Sequence, residues 1–237
     1  SAGAEIVGAW LFEETSGNTV KDVAGGNDGT IKGSVEREAN GKFGRALKFP
    51  GKGDSYVSIP YNDVFDSDPY TFTAWVKLEA ASWQYIAWQN GLTWPEPHTK
   101  RHLDIWVHDA DYVVIMWSAE GLADYERVDG KTIVADGSWH HIAKSSDGKM
   151  MKLFIDGKLD GENALGGKLV VNGEDALWIG ARPGDVAATG LFDEVGFFTE
   201  SLSEDELAQV MKDGLASYAA ISPSGKLAAI WGKVKSE

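Results

Sequence analysis

Nine consecutive residues, Arg101-His102-Leu103-Asp104-Ile105-Trp106-Val107-His108-Asp109, interleave an apolar set with a polar one at two-residue spacing. Alternate side chains of an extended strand face opposite ways, so Leu103, Ile105 and Val107 are expected in a core. His102, Asp104, Trp106 and His108 then share the other face. An indole plate among hydrogen-bonding groups suits a sugar ring: the aromatic surface covers the C–H face while polar groups fork onto the hydroxyls. Five of the ten tryptophans, Trp83, Trp88, Trp94, Trp106 and Trp117, fall between residues 83 and 117, too dense for an evenly spread core. Trp94 lies in Asn90–Lys100, a proline-punctuated loop where burial is hard to arrange. The candidate ligand contacts are therefore Trp94, Arg101, His102, Asp104, Trp106, His108 and Trp88, around a solvent-wetted hollow.

Other chemistry is harder to assemble. The segment Lys21–Gly29, KDVAGGNDG, packs short oxygen-bearing side chains among glycines. Calcium takes six to eight oxygens in flexible geometry, and Asp22 or Asp28 could supply charge while the glycines turn carbonyls inward. The spacing is not that of an EF-hand, and a solvated Asx-Gly turn is the plain alternative. His98, His102 and His108 fit no familiar zinc pattern. No serine elbow, phosphate-cradling loop or H-E-x-x-H is present. Asp193 and Glu194 are adjacent, so on a strand they face opposite ways and cannot flank one bond. A lyase with His102, His108, Tyr85 or Tyr112 as base stays open as a lesser alternative.

The elements that position these residues read as β. In Asp136–Gly161, DGSWHHIAKSSDGKMMKLFIDGKLDG, Trp139, His141 and Ala143 face one way and His140, Ile142 and Lys144 the other. Ser146–Lys149 turns the chain, Met151, Leu153 and Ile155 line the returning strand, and Asp156-Gly157 turns it again. Further strands are expected near 7–12, 29–35, 45–50, 55–59, 70–78, 83–89, 102–108, 112–118, 125–134, 168–171, 175–180 and 190–198. One helix is expected after Ser203: Glu206 completes a capping box, Leu207, Val210 and Met211 form an apolar stripe for the sheet edge, and Gly214 stops it.

These segments resemble the laminin-G-like, concanavalin A-like jelly-roll domains. The similarity runs in order through Gly8–Ile31, Gly41–Pro60, Tyr70–Lys77, the "DGSWHHIA" meander, Leu177–Gly184 and Gly190–Leu207. The resemblance implies an all-β, concanavalin A-like jelly-roll sandwich of two antiparallel sheets with one short C-terminal helix. It would fill residues 1–216, with 217–237 as a C-terminal strap or tail packing Ile230 and Trp231. Trp75, Trp139 and Trp178 fall in family-like strands and are expected in the core or half-buried. The resemblance also implies one structural calcium bridging Asp22 and Asp28 to Asp193, at the start of the closing strand.

Catalytic relatives, the laminarinase-like glycosidases, carry E-x-D-x-x-E on one strand, with one carboxylate as nucleophile and one as acid. This sequence has no such motif; around Asp104 it puts His102 and Val107 where the glutamates belong. The function implied is a non-catalytic carbohydrate-binding domain. A protein-interaction or adhesion module on another extracellular protein is the alternative.

Composition sets the outer limits. The 237 residues suit one large all-β domain. No cysteine is present, which excludes disulfides and thiolate chemistry. A net charge of −14, from 36 acidic and 22 basic residues, argues against nucleic acid or an anionic membrane as partner. No apolar run suits a membrane span. A leader removed ahead of Ser1 would fit, and the family likeness implies an extracellular, periplasmic or cell-surface location.

Overall fold

A computed structural model describes residues 4–89, 101–171 and 173–221, the last three of these by their backbone alone. In chain order the first strands are β1 (Ile6–Trp10), β2 (Thr19–Val20), β3 (Gly29–Lys32), β4 (Glu36–Glu38), β5 (Ala46–Pro50) and β6 (Tyr56–Ile59). Then come β7 (Tyr70–Leu78), β8 (Gln84–Gln89), β9 (Leu103–Val107), β10 (Tyr112–Trp117) and β11 (Glu126–Ile133). The remainder are β12 (His140–Ser146), β13 (Met150–Ile155), β14 (Lys158–Ala164), β15 (Leu177–Ile179) and β16 (Thr189–Phe198), followed by α1 (Glu204–Ile221).

They form two antiparallel sheets. The first has the order β14-β13-β12-β7-β16-β5-β4, with β1 also on β16; the second has the order β11-β10-β9-β8-β15-β6-β3-β2. The core between them is built from inward positions of both sheets, including Phe49, Tyr70, Phe72, Ile105, Trp117 and Phe192. Burial of each such side chain contributes about 1.5–3 kcal/mol. This is the expected jelly-roll sandwich.

The central meander forms as its turn residues require. Gly148 (φ 81°) closes β12 onto β13, and Asp156 and Gly157 (φ 51° and 75°) close β13 onto β14. Such paired positive φ values match the twist of a two-residue hairpin. Two of the expected elements differ. Strand β14 was not expected, because its sequence KLDGENA is polar; it is an edge strand whose side chains largely meet water. Conversely the apolar stretch 168–171 makes only an isolated bridge, Leu169 to Ala119.

The helix starts as its capping box dictates: Ser203 N donates to Glu206 Oε2 at 2.9 Å, and Glu206 N donates to Ser203 Oγ at 3.3 Å. Leu207, Val210, Leu215 and Tyr218 pack on the outer face of the first sheet against Ala143, Phe154 and Phe198, not on its edge. Gly214 (φ 74°, ψ 161°) breaks the helix as a stop residue would, but the chain resumes helix beyond it. A domain boundary at 216/217 therefore falls inside α1. Residues Ile230 and Trp231 lie outside the described residues.

Candidate functional site

Strand β9 lies between β8 and β10, and its alternation is as its sequence requires. Leu103, Ile105 and Val107 enter the core, while Asp104 and Trp106 face outward. Trp106 is opposite Tyr85 on β8 and Val114 on β10; Asp104 is opposite Trp88 and Met116. Tyr85, Trp88, Trp106, Val114, Met116 and Trp178 form one cluster on this outer face. Arg101 makes a close ion pair with Asp104. Its guanidinium lies 4.7 Å from the Tyr125 ring centroid and 6.0 Å from that of Trp88, and Arg182 lies 4.9 Å from the other.

Among the anticipated contacts, Trp88, Arg101, Asp104, Trp106 and His108 thus meet on one face. His102 does not join them. It sits in a bend ahead of β9, where strand alternation no longer applies, and its ring turns inward to 4.8 Å from the Tyr70 ring. Burial there, with the Lys144 charge nearby, pushes the imidazole down to about 3, so it stays neutral. Trp94 and His98 lie outside the described residues.

The expected wetness also needs correction. Trp88 and Trp106 are 3% exposed and Asp104 is fully buried. Alternation chooses the side of the sheet a residue faces; it does not determine what covers that side. Among the described residues, four polar atoms enclosed here have no hydrogen-bond partner: Trp88 Nε1, Trp106 Nε1, Arg101 Nε and Asp104 Oδ1. Burial raises the Asp104 carboxyl, opposed by Arg101, then Lys144, then Arg182.

One ring of the array reaches solvent. Trp83, just ahead of β8, is 46% exposed and stacks on Trp106, with centroids 4.6 Å apart and planes 5° from parallel. It holds a left-handed backbone (φ 51°), a sparsely populated conformation for a bulky residue. His108 lies 5.7 Å from Trp83 and stacks on Tyr112 at 4.8 Å and 5°. Trp83, Trp106, His108 and Tyr112 therefore make a stepped aromatic rim, open at one end of the sheet and buried at the other. Trp83 was counted in the tryptophan-rich stretch but not placed among the contacts. The small and polar run Ala80-Ala81-Ser82 before it was the available signal that the indole begins outside the strand.

The carboxylates anticipated for calcium are engaged to different degrees by the protein's own donors. Asp22 Oδ1 accepts from Ala9 N, Ala24 N and Gly25 N at 2.8–3.1 Å. Its Oδ2 accepts from the main-chain and side-chain nitrogens of Asn27. Asp28 accepts from Asp22 N and Lys21 Nζ, and Asp193 Oδ2 accepts from Lys42 N and Phe43 N. Amide donors thus occupy both oxygens of Asp22, and an amide and the Lys21 ammonium hold Asp28, while Asp193 Oδ1 is buried with no partner among the described residues. Among the described residues no three His, Cys, Asp or Glu side chains group as a metal site.

Comparison with known proteins bears on the architecture. The sequence model of the concanavalin A-like lectin/glucanases superfamily matches residues 51–208. No curated protein matches the chain. Among solved structures, the binding domain of Paraclostridial Mosquitocidal Protein 1 aligns at TM-score 0.67 and 12% identity, over 87% of this chain and 52% of that one. The receptor binding domain of a botulinum neurotoxin C/D mosaic serotype aligns at 0.67 and 11%, over 90% and 52%. Domain 4 of AbnA, an extracellular arabinanase from Geobacillus stearothermophilus solved with arabinotriose, aligns at 0.63 and 17%, over 89% of this chain and all of that one. The chain spans about half the length of the toxin domains, and at these identities the likeness shows the fold alone. Among the described residues, no helix is long and apolar enough to cross a membrane.

Proposed function

Because the chain belongs to the concanavalin A-like lectin/glucanases superfamily, we propose that it binds carbohydrate without cleaving it, at the Trp83 rim of the second sheet. The observation that carries this is the Trp83–Trp106 stack: an indole 46% exposed, seated flat on a buried one and held in a strained backbone. A solvent-facing ring costs free energy unless something covers it, and a rigid support removes the entropy of ordering it on binding. A sugar's C–H face suits that plate, while His108 and the Asp109 carboxylate against it supply polar contacts at its margin. The sequence lacks the paired-carboxylate motif of the family's glycosidases, which favours binding over hydrolysis. Support of a general kind comes from the arabinotriose in the arabinanase domain and the SialylT in a neurotoxin binding domain of the same fold. An extracellular location is part of the same proposal.

The test is affinity electrophoresis of the whole chain through gels containing arabinan, xylan, laminarin, polygalacturonate or a sialylated glycoprotein. Retardation by at least one is expected. Trp83→Ala will weaken it about tenfold, the loss of roughly one aromatic stacking contact. Free migration in every gel, or equal retardation of the variant, overturns the proposal.

A further inference from the structure

At its open end the outer face of the second sheet carries a row of residues that strand register lines up. Gln84 on β8 is opposite Val107 on β9, so Trp83 and His108, one step further along each chain, are neighbours, with ring centroids 5.7 Å apart. His108 N donates to Tyr112 O at 2.9 Å, and Tyr112 on β10 is opposite Ile133 on β11. Directly opposite residues of an antiparallel pair share a face, so Ile133 stands beside Tyr112 outside the core. Trp83, His108, Tyr112 and Ile133 thus cross the ends of neighbouring strands β8, β9, β10 and β11. At about 4.8 Å per strand spacing the row spans about 14 Å, more than a single sugar ring covers.

Both ends of the row meet solvent. Among the described residues four large apolar side chains are more than a third exposed, and two of them, Trp83 at 46% and Ile133 at 48%, are these ends. One exposed apolar residue needs no explanation, but two closing a single aromatic row do. Polar groups flank the row without interrupting it. Asp109 lies against His108, and the Arg127–Asp129 ion pair, at 3.1 Å, continues along the same face of β11 opposite Met116 and Val114. A protein partner asks for a broad apolar patch, whereas flat seats with charged groups at their margin suit sugar rings.

We infer that the rim takes an internal run of a dissolved polysaccharide chain, at least three sugar units long, laid across the ends of β8, β9, β10 and β11. Trp83 seats one unit, Tyr112 with His108 stacked on it a second, and Ile133 a third, while the flanking charged groups meet ring hydroxyls. The seats are not coplanar: the Trp83 and His108 planes differ by 37°, and those of His108 and Tyr112 by 5°. Successive units must therefore turn relative to one another, as they can in a single dissolved chain and cannot on the flat face of a polysaccharide crystal. The inference rests on the proposal above for where binding occurs, and adds the form and length of the ligand.

Chain length is the test. Arabinose, xylose and glucose would be titrated against the whole chain by isothermal calorimetry, beside their α-1,5-, β-1,4- and β-1,3-linked oligomers of two to six units. In at least one series affinity is expected to rise about tenfold or more from one unit to three, each added seat contributing about two- to tenfold, and then to level off. Ile133→Ser is expected to weaken trimers and longer oligomers severalfold and to leave dimers unchanged, a pattern that general loss of fold does not give. Equal affinity for one unit and three, a variant that acts equally at every length, or binding to microcrystalline cellulose alone overturns the inference. If only the sialylated glycoprotein retards the chain in gels, and Trp83→Ala weakens that, chain ends are recognised: the inference fails and the rim proposal stands. If no sugar binds, both fail, and a dimer in sedimentation that Ile133→Ser dissociates identifies the row as a contact between copies.

Discussion

Replacing Lys144 by methionine tests whether burial strips the charge from an amine held in the core beneath this face. Lys144 lies on β12 with its side chain between the sheets, fully buried, and its Nζ donates to His102 O and Met116 O at 2.7 Å each. Burial pushes the amine down to about 7, against the raising effect of Asp104. The unfolded chain holds the same proton up to its ordinary value of about 10.4. Between the two the unfolded state binds nearly one proton more than the folded one, so stability rises with pH. The slope is about 1.3 kcal/mol per pH unit, and from pH 8 to 9.5 the gain from this group is about 2 kcal/mol.

The window is chosen with the other shifted groups in view. Asp193 and Glu194, raised by burial to about 8 and about 7, have largely ionised by its upper end. Tyr61, hydrogen-bonded to Asp66 and raised to about 12, has not begun to titrate. Urea unfolding of wild type and Lys144→Met would be followed by tryptophan fluorescence at pH 8.0, 8.5, 9.0 and 9.5. The variant pays a constant penalty for two carbonyls left without a donor, about 1–3 kcal/mol each, but has no amine to titrate. The wild type is therefore expected to gain about 2 kcal/mol on the variant across the range. A constant or shrinking gap means that Lys144 keeps an ordinary amine, and refutes the burial argument.

Two further perturbations follow from buried carboxylates. Asp22→Ala strips the acceptor from four main-chain N–H groups and the Asn27 amide, and is expected to cost about 2–4 kcal/mol in urea unfolding. EDTA is expected to leave the wild-type melting temperature unchanged; a calcium-dependent shift that disappears in Asp22→Ala would overturn the assignment of Asp22 as an amide clamp. Asp193 is raised to about 8 chiefly by burial, so the folded state holds its proton longer than the unfolded one. That stabilising contribution is complete below about pH 4 and is lost as pH rises through 8. Asp193→Asn, neutral throughout, will gain in melting temperature on the wild type from pH 5 to 8, and an opposite trend refutes the shift.

Much of the architecture was legible because turn chemistry and alternation act locally. Tyr70–Leu78 falls on the expected bounds of β7, and the meander places Lys144 with Ile142, on the side that proves to be the core. The capping box of Ser203 and Glu206 needs only its own turn. Elements decided by distant partners were not legible: β14 exists because β13 offers it an edge, whatever its polarity, and 168–171 has the apolar pattern of a strand but pairs as one isolated bridge, Leu169 opposite Ala119, with Lys168 O and Val170 N bonded to Glu120 N and Ser118 O. At the site, the same rule worked for Asp104 and Trp106 and failed at His102, one residue ahead of the ladder. Which of these residues would meet water was a tertiary question that two-residue spacing does not address.

The core and the outer face of the second sheet are consequently not independent layers. Lys144 donates to carbonyls of His102 and Met116, at the end of the β9–β10 pair that carries Asp104 outward. Asp104 in turn moderates the loss of charge on Lys144 across the thickness of one sheet, and Arg101 shields Asp104 from the other side. An apolar residue at 144 would remove a costly buried amine, yet it would also free two strand carbonyls and withdraw a cation from beneath the face. A substitution at 144 therefore changes the stability of the sheet pair and the charge beneath its outer face together, and the two effects are read apart only by following stability against pH.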